Sequence, residues 1–198
     1  MKNFNSDVNI TILLTGTIVP NTRKTLAISN PVERLEQYKK AIEFYLNETE
    51  FNIVFAENSG TEFPYYENRQ RFEYVTFKSL NEKIDKGKGW KEYGILTYAL
   101  LNSDFLQDTD LILKITGRLK LLNLNKIMNK RCLSKHQDLV VANYYRNKKM
   151  DSRCFLFSKS FSPYFNENAK AINVNYSFER ALFMSIQSFS KKRSENKF

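Results

Sequence analysis

Short apolar segments recur along the chain, separated by longer polar or amphipathic stretches. Apolar runs with little polar interruption predict strands that are buried on both faces. They occur at residues 8–15, 51–56, 111–115, 138–142 and 154–157. Residues 71–77 alternate between apolar and polar positions instead, which predicts one further, half-buried strand.

Amphipathic segments lie between these strands. Apolar side chains recur at helical spacing in residues 31–47, 93–101 and 175–188, and residues 123–131 have the composition of a short basic helix. Asn30 is the expected N-cap of the first helix, with Pro31 at its first position. Arg34 is expected on the solvated side of that helix. Ser177 is the expected cap of the last helix, with Glu179 in its first turn.

The alternation of strands and helices predicts an α/β fold, with a mainly parallel central sheet and helices on both faces. At 198 residues, the chain is expected to form a single domain over residues 1–190, followed by a basic C-terminal tail at residues 191–198. No apolar run approaches the roughly 18–20 residues that span a bilayer, and Asp7 and Asn9 interrupt the pattern of a signal peptide. The expected location is therefore the cytoplasm.

The net charge of +10 predicts an anionic partner: nucleic acid, a phosphorylated ligand or an anionic membrane surface. Residues 111–137 carry several cations but no acidic and no aromatic side chain. Proteins that bind single-stranded nucleic acid usually interleave cations with stacking aromatics, so this pattern favours phosphate or membrane binding. A second basic cluster, formed by Lys191, Lys192, Arg193 and Lys197, is either a solvated tail or a contact with an anionic leaflet.

Several chemistries find no support in the sequence. The chain has only two cysteines, Cys132 and Cys154, which are too few for a disulfide framework. With a single histidine, His136, they do not supply the four ligands of a structural zinc site. No P-loop, dinucleotide fingerprint or Gly-x-Ser-x-Gly elbow occurs. His136 lies in a polar segment and is not expected to be catalytic.

Small polar residues follow three of the predicted strands. In α/β sheets, ligands bind outside the carboxyl ends of the strands, where glycines permit close approach and cations neutralise phosphate. The candidates are Thr15, Gly16 and Thr17 after the first strand, Glu57, Asn58 and Ser59 after the second, and Thr116, Gly117 and Arg118 after the central one. Lys88 belongs to a Gly-rich basic turn that opens a helix and suits an anion. Together these residues predict a nucleotide-type ligand with a phosphate or diphosphate group.

The pair Asp108 and Asp110 matches the Asp-x-Asp pattern that binds metal in many sugar-nucleotide transferases. There the pattern follows a strand, whereas here it precedes residues 111–115. A strand of that length separates the pair from the carboxyl edge by roughly 15 Å. The expected role is a helix-to-strand loop, and Arg118 is expected to take over the neutralisation of diphosphate from a metal ion.

Taken in order, these motifs resemble small bacterial glycosyltransferases of surface-polysaccharide synthesis, with a compact GT-A, Rossmann-like fold. The segments that carry the resemblance are Thr15-Gly-Thr, Glu57-Asn-Ser-Gly, Lys86-Gly-Lys-Gly-Trp-Lys-Glu, Lys114-Ile-Thr-Gly-Arg, Asp151-Ser-Arg and Phe178-Glu. The resemblance implies that Thr15, Glu57 and Asn58 lie near the nucleotide. It further implies that Lys88, Lys114 and Arg118 lie near the phosphates, and that Asp151 or Glu179 is the base for the acceptor hydroxyl.

Other interpretations of these residues stay open. Glu179 can complement the helix dipole, and Asp151 can pair with Arg153 across a turn, although Arg153 is also a candidate for phosphate binding. Trp90 can be a packing anchor or can stack on a base or sugar.

The leading hypothesis is a glycosyltransferase that moves a sugar from a nucleotide donor to a hydroxyl of a capsule or lipopolysaccharide precursor, with a lipid-linked glycan as the expected acceptor. This enzyme is expected to require no cofactor. A requirement for Mn²⁺ or Mg²⁺ is the alternative. The enzyme is expected in the cytoplasm, peripheral to the membrane through its basic tail, without a nucleic-acid partner. Two alternatives remain: a non-catalytic basic module for nucleic acid or phosphorylated partners, and an inactive polysaccharide-assembly subunit.

Overall fold

The computed structural model describes residues 8–21, 26–66, 68–79, 86–124, 128 and 138–195. The elements in chain order are β1 (Ile10–Gly16), α1 (Pro31–Glu48), β2 (Asn52–Glu57), β3 (Phe72–Thr76), α2 (Lys88–Asn102), α3 (Asp104–Gln107), β4 (Leu111–Thr116), β5 (Val140–Tyr144), β6 (Met150–Ser158), α4 (Ser162–Ala169) and α5 (Phe178–Glu195). A 3₁₀ turn at Lys159–Phe161 precedes α4.

The six strands form one sheet in the order β3-β2-β1-β4-β6-β5. Strands β3, β2, β1 and β4 are parallel to one another, whereas β6 runs antiparallel to both β4 and β5. The predicted mainly parallel sheet is therefore confirmed, with an antiparallel hairpin at one edge. Helix α1 returns the chain from β1 to β2, and α2 carries it from β3 across to β4, on the other side of β1.

Each face of the sheet has its own core, which confirms helices on both faces. On one face, Tyr38, Ile42 and Tyr45 of α1 pack against strand residues such as Leu14 and Phe55. On the other face, apolar residues of α2, α4 and α5 cover the sheet: Ile95, Leu96, Ala99, Phe165, Phe178, Ala181 and Leu182. The central strands are buried almost throughout because both faces are covered.

Helix α1 begins as predicted. The Asn30 side chain accepts a hydrogen bond from the Val32 amide at 2.9 Å, and Pro31 occupies the first turn. The expectation for Arg34 is wrong: this side chain is buried, because it reaches back to the loop that follows β1. Helical periodicity predicts on which face of a helix a residue lies. It does not reveal whether a loop elsewhere in the chain covers that face.

The C-terminal third differs most from the sequence expectation. Strand β6 begins at Met150, so Asp151, Ser152 and Arg153 lie within it rather than before it. Helix α4 has no counterpart among the predicted elements. The last helix starts at Phe178, with the Ser177 hydroxyl accepting from the Arg180 amide at 3.4 Å, and it continues to Glu195. Residues 191–195 of the expected tail are thus helical.

Three expectations involve residues that the structure does not describe. Most of the predicted basic helix at residues 123–131 lies outside the described ranges, as do Cys132 and His136. Of the two cysteines, Cys154 is described, and its thiol is free. None of the described helices combines the length and the apolar composition needed to span a bilayer.

Candidate functional site at the carboxyl edge of the sheet

The carboxyl ends of the parallel strands meet at one edge of the sheet. The register pairs Gly16 with Glu57, Thr15 with Thr116, and Glu57 with Thr76. The chain leaves β1 towards β2 and enters β4 on the opposite side, so the strand order reverses beside β1. This topological switch point is where open α/β sheets form a ligand crevice. The structure thus brings the three predicted polar segments to one place.

Glu57 organises this edge from inside. Its side chain is completely buried and accepts hydrogen bonds from the amides of Ile18 and Ser59, both at 2.8 Å, and from the Thr76 hydroxyl at 3.1 Å. The Ser59 hydroxyl also contacts the carboxylate. One carboxylate therefore ties together the segments that follow β1, β2 and β3. This geometry makes Glu57 a residue that shapes the edge, and a direct contact with nucleotide stays a prediction.

The loops after β1 and β2 are joined by further polar contacts. The Thr17 hydroxyl donates to the Asn58 side chain at 2.6 Å, and the Val19 amide donates to the Ser59 hydroxyl at 3.2 Å. Asn58 is buried, whereas Thr17 and Ser59 are half-buried. Thr17 and Ser59 are therefore the members of these two segments that a ligand could reach.

The Tyr38 ring lies beneath two of the predicted glycines. A methyl group on Gly16 would stand 2.7 Å from the Tyr38 ring, and one on Gly117 would stand 3.1 Å from that ring and 2.9 Å from the carbonyl oxygen of Thr15. The Gly117 amide donates to this carbonyl at 2.8 Å. The Phe55 ring also lies 2.7 Å from a methyl group on Gly16. Contacts within the protein therefore explain both glycines, without any ligand above them.

Arg34 holds the loop that follows β1. Its guanidinium donates to the carbonyl oxygens of Thr17 at 2.7 Å and Ile28 at 3.1 Å, and to the Tyr38 hydroxyl at 3.1 Å. The Tyr38 hydroxyl in turn accepts from the Thr17 amide at 2.9 Å. Arg34 is buried, and no ion pair with a described carboxylate accompanies these bonds. Arg34 and Tyr38 together fix the position of Thr17.

Arg118 follows β4 at the predicted place, but its side chain turns towards α1. The guanidinium donates to the Gln37 side chain at 2.9 Å and is half-buried. Thr116 is also half-buried. Because Gln37 is neutral, this contact leaves the positive charge of Arg118 available for an anion at the crevice. Its role in phosphate binding stays a prediction.

Lys114 is the centre of a polar cluster on the opposite face. Its side chain is fully buried in β4, where the ammonium group forms an ion pair with Glu92 of α2 and donates to the Ser152 carbonyl at 2.6 Å. The Ser152 hydroxyl donates to Glu179 of α5 at 2.9 Å. Four elements thus converge on one charged network, which we call the Lys114 cluster (Glu92, Lys114, Ser152 and Glu179). Lys114 is engaged with protein groups, and its proximity to phosphate stays a prediction.

Asp151 and Arg153 form the neighbouring ion pair, as the alternative interpretation held. The Arg153 guanidinium donates to Asp151 through Nε at 2.9 Å and Nη2 at 2.7 Å, and the Arg153 amide adds a third bond at 2.9 Å. These bonds lower the pKa of Asp151 below its usual range. A carboxylate with a lowered pKa accepts protons poorly, so this state of Asp151 is unfavourable for a general base.

The Gly-rich turn before α2 packs against α5. A methyl group on Gly89 would stand 3.0 Å from the backbone nitrogen of Phe178, so glycine permits the close approach of the two helices. Lys88 is exposed at the start of α2. The Lys86 ammonium lies over the Trp90 ring, 3.9 Å from its centroid. Trp90 also packs 5.6 Å from the Tyr93 ring, which supports a packing role over the alternative of stacking on a base or sugar.

Asp108 and Asp110 lie at the opposite, amino edge of the sheet. The Asp110 carboxylate accepts from the Asn9 amide at 2.8 Å, and the Asp108 carbonyl accepts from the Asn9 side chain at 2.7 Å, just before β1 begins. Within the described ranges, no three acidic, cysteine or histidine side chains form a group that could hold a metal ion.

Solved structures that are similar to this chain include two of LgtC. One, described as an active-site mutant, is 14% identical over 87% of this chain and 68% of that chain, with a TM-score of 0.43. The other, described as the galactosyltransferase in complex with donor and acceptor sugar analogues, is 11% identical over 87% and 69%, with a TM-score of 0.45. Neither likeness is close enough to carry a conclusion about activity. No family model and no curated protein matches the chain.

Sequence reasoning missed three residues of this edge: Arg34, Tyr38 and Glu92. Tyr38 has apolar helical spacing and is predicted only as core. Glu92 ends the segment Lys86-Gly-Lys-Gly-Trp-Lys-Glu, and its position one turn into a helix was the available signal. No local pattern identifies its partner, because Lys114 is on a strand 22 residues further along the chain.

Proposed function

We propose that this chain is a glycosyltransferase that moves a sugar from a nucleotide-sugar donor to a hydroxyl of a bacterial surface-glycan precursor. The observation that carries the proposal is the Lys114 cluster beside the switch point of the sheet. A buried cation, two carboxylates and exposed polar loops converge at the edge where α/β proteins bind nucleotides.

In this proposal the crevice has a donor side, which binds the nucleotide sugar, and an acceptor side, which binds the hydroxyl that receives the sugar. Thr17, Ser59 and the segment at Thr116 face the donor nucleotide, while Arg118 and Lys88 neutralise the phosphate that departs. A leaving diphosphate gains charge in the transition state, so cations placed beforehand lower the barrier. Lys114 does not contact the ligand in this proposal, and its ion pair holds the Glu92 carboxylate in place beside the crevice.

The acceptor side requires a carboxylate that takes the hydroxyl proton. Asp151 and Glu179 are the candidates from the sequence, and Glu92 joins them from the structure. Glu179 is the preferred base, since it accepts from the neutral Ser152 hydroxyl, whereas Asp151 is bound by Arg153 and Glu92 by Lys114. Loss of transfer in Glu179→Gln but not in Asp151→Asn supports this assignment, and the reverse pattern contradicts it. Exposed Glu167 of α4 is the matched control.

A divalent metal is not part of the proposed reaction. We expect transfer to persist in EDTA, because Arg118 and Lys88 supply the positive charge. Complete loss of transfer on chelation, restored by Mn²⁺, would overturn this part of the proposal. The proposed setting is the cytoplasm at the inner face of the membrane, with a lipid-linked glycan as acceptor.

The first experiment is a thermal-shift panel of nucleotides and nucleotide sugars, each with and without Mn²⁺. One nucleotide at 100 times its dissociation constant stabilises the fold by about 2.7 kcal/mol, which raises the melting temperature by roughly 5–10 °C. Arg118→Ala should weaken this shift, and Arg69→Ala, an exposed arginine between β2 and β3, should not.

Each competing function predicts a different result in the same panel. A basic module for nucleic acid or phosphorylated partners would show shifts with every polyanion that fade with salt. An inactive assembly subunit would show no shift and no donor hydrolysis. Either result would overturn the proposed transferase.

A further inference from the structure

The connection between β5 and β6 is a tight, exposed and strongly basic turn. We call residues 144–149 (Tyr-Tyr-Arg-Asn-Lys-Lys) the basic hairpin. Asn147 and Lys148 have positive φ angles of 48° and 57°, and the Tyr145 amide donates to the Lys149 carbonyl at 2.9 Å. The Lys148 amide also donates to the Tyr144 hydroxyl at 3.3 Å. The backbone thus holds a conformation that a lysine adopts rarely.

Five of the six residues of the basic hairpin are exposed, and Lys149 is half-buried. Tyr144 is 61% exposed and Tyr145 57% exposed, and Arg146 and Lys148 are exposed as well. No acidic residue occurs between positions 139 and 150. The nearby Arg153 guanidinium, with a side chain 67% exposed, is balanced by the single charge of Asp151, and no described carboxylate forms an ion pair with the cations of the hairpin. Two exposed tyrosines beside uncompensated cations form a surface that suits an anionic partner.

The basic hairpin is at the same edge of the sheet as the candidate site. Tyr144 ends β5 and Met150 begins β6, only two residues before Ser152 of the Lys114 cluster. The Tyr144 ring packs against Phe183 in the first half of α5, at 6.1 Å between centroids. A partner that covers the hairpin would therefore lie beside the crevice.

The C-terminal basic cluster is at the opposite end of the molecule. Helix α5 begins beside the Lys114 cluster and has 18 residues, a length of about 27 Å. Near its end, Arg193 donates to the Asp138 carbonyl, which precedes the start of β5 at the amino edge. A membrane contact through Lys191, Lys192 and Arg193 would hold the candidate crevice away from the bilayer.

We propose that the basic hairpin seats the carboxyl edge of the sheet on an anionic phospholipid surface. Tyrosine favours the headgroup region, and cations near an anionic leaflet each contribute to binding. Exposed Val174, in the loop before α5 and next to Gly87, supplies an aliphatic contact at the same edge. The crevice then opens towards the bilayer, where the lipid-linked acceptor of the proposed function, on which this last step rests, would be presented.

The tyrosine rings argue for lipid rather than single-stranded nucleic acid. Binding of unpaired bases requires free aromatic faces. Here the Arg146 guanidinium covers Tyr145 at 5.1 Å from its ring centroid, and Tyr144 packs on Phe183. Both tyrosines are nonetheless more than half exposed, which suits a headgroup layer better than a stack of bases.

The test is sedimentation of the full chain with vesicles of phosphatidylglycerol and phosphatidylcholine, which requires no transfer activity. The triple variant Arg146→Gln, Lys148→Gln, Lys149→Gln should lose roughly 100-fold in partition to anionic vesicles, given the contribution of each cation. The charge-matched control Lys191→Gln, Lys192→Gln, Arg193→Gln should lose less than about 5-fold in partition to the same vesicles. This small loss reflects only the long-range attraction between the removed charges and the anionic surface. Circular dichroism checks that both variants fold.

Three outcomes would overturn the proposal. Equal losses in the two triple variants would mean that net charge alone is sensed. Equal binding to purely phosphatidylcholine vesicles would exclude recognition of an anionic surface. Tighter, hairpin-dependent binding to a single-stranded oligonucleotide than to vesicles would make the surface a nucleic-acid site. Because donor hydrolysis in solution is measured separately, failure of this proposal is distinguishable from failure of the proposed transferase.

Discussion

Lys114 of β4 and Glu92 of α2 form an ion pair in which the ammonium side is fully buried and the carboxylate side is 26% exposed. A buried lysine is tolerated only where its charge is compensated, because transfer of an ion out of water costs several kcal/mol. The pair therefore joins the sheet to α2 and at the same time brings a carboxylate to the edge of the candidate crevice.

Removal of the Glu92 charge should destabilise the fold more than loss of a surface charge. For Glu92→Gln we expect the free energy of unfolding to fall by about 2–3 kcal/mol, less than the roughly 3–5 kcal/mol of a fully buried pair because Glu92 is partly exposed. Urea denaturation measures the change. The control is Glu36→Gln, which breaks the surface pair with Lys39 and should leave the free energy of unfolding almost unchanged.

The double variant Glu92→Leu, Lys114→Met separates stability from function. It removes both charges, so stability should return to within about 1 kcal/mol of the parent chain. Transfer of sugar should still be impaired, because Glu92 no longer supplies a carboxylate beside the crevice. A double variant that is stable and active would show that the pair serves folding alone.

Gly117 should not tolerate a side chain. In Gly117→Ala the new methyl group would press on the Thr15 carbonyl and the Tyr38 ring, and we expect a loss of about 1–3 kcal/mol in urea denaturation. Gly94 of α2 is the matched control, since a methyl group there meets nothing within 4 Å. Gly94→Ala should stabilise the helix by roughly 0.5–1 kcal/mol. Equal effects at both positions would contradict the packing described here.

Stability should fall in strong alkali through buried tyrosines. Burial raises the pKa of Tyr45 and of Tyr74 to about 12, from a usual value near 10. A group with a raised pKa favours the folded state fully below its unfolded pKa, and that contribution is lost as the pH rises from about 10 to about 12. Ultraviolet absorbance of the phenolate, followed with circular dichroism, should show these phenols ionising together with unfolding. Tyr45→Phe should reduce the loss of stability at alkaline pH. Ionisation of these phenols while the chain is still folded would contradict their burial.

Asp151 should contribute stability that disappears in acid. Arg153 lowers the pKa of this carboxyl below its ordinary value of 3.8, so the contribution is present at neutral pH and is lost as the pH falls through the lowered pKa. For Asp151→Asn we expect a loss below about 1 kcal/mol at neutral pH, because the arginine is exposed. The difference from the parent chain should vanish in strong acid, below the lowered pKa. A difference that does not depend on pH would exclude the ion pair as its cause.

Local patterns are sufficient for the parallel part of the sheet. The apolar runs of β1, β2 and β4 are continuous because both faces are covered, and Asn30 with Pro31 marks the start of α1. The carboxyl-edge rule then predicts that Thr15, Glu57 and Thr116 lie together, as they do. Sequence reasoning works here because each strand is specified by its own residues.

The remaining features depend on contacts between distant parts of the chain. Arg34 is buried by a loop that precedes its helix, and Lys114 is paired with a helix that precedes its strand. Helix α4 is short, and its sequence Ser-Pro-Tyr-Phe-Asn-Glu-Asn-Ala has weak periodicity, so the pattern did not reveal it. The direction of the Arg118 side chain could not be predicted either, since it follows from the neighbouring Gln37.

The position of Tyr38 below both Gly16 and Gly117 couples the substitutions that these three positions can accept. While the ring is present, neither glycine can acquire a side chain, and the ends of two strands remain locked in sequence. Replacement of the tyrosine by a smaller residue would not release the glycines, because Phe55 still lies 2.7 Å from a methyl group on Gly16 and the Thr15 carbonyl 2.9 Å from one on Gly117. The Thr17 amide and Arg34 would each lose a partner as well. A side chain at either strand end therefore requires several simultaneous changes around it, and loss of one ring is not enough.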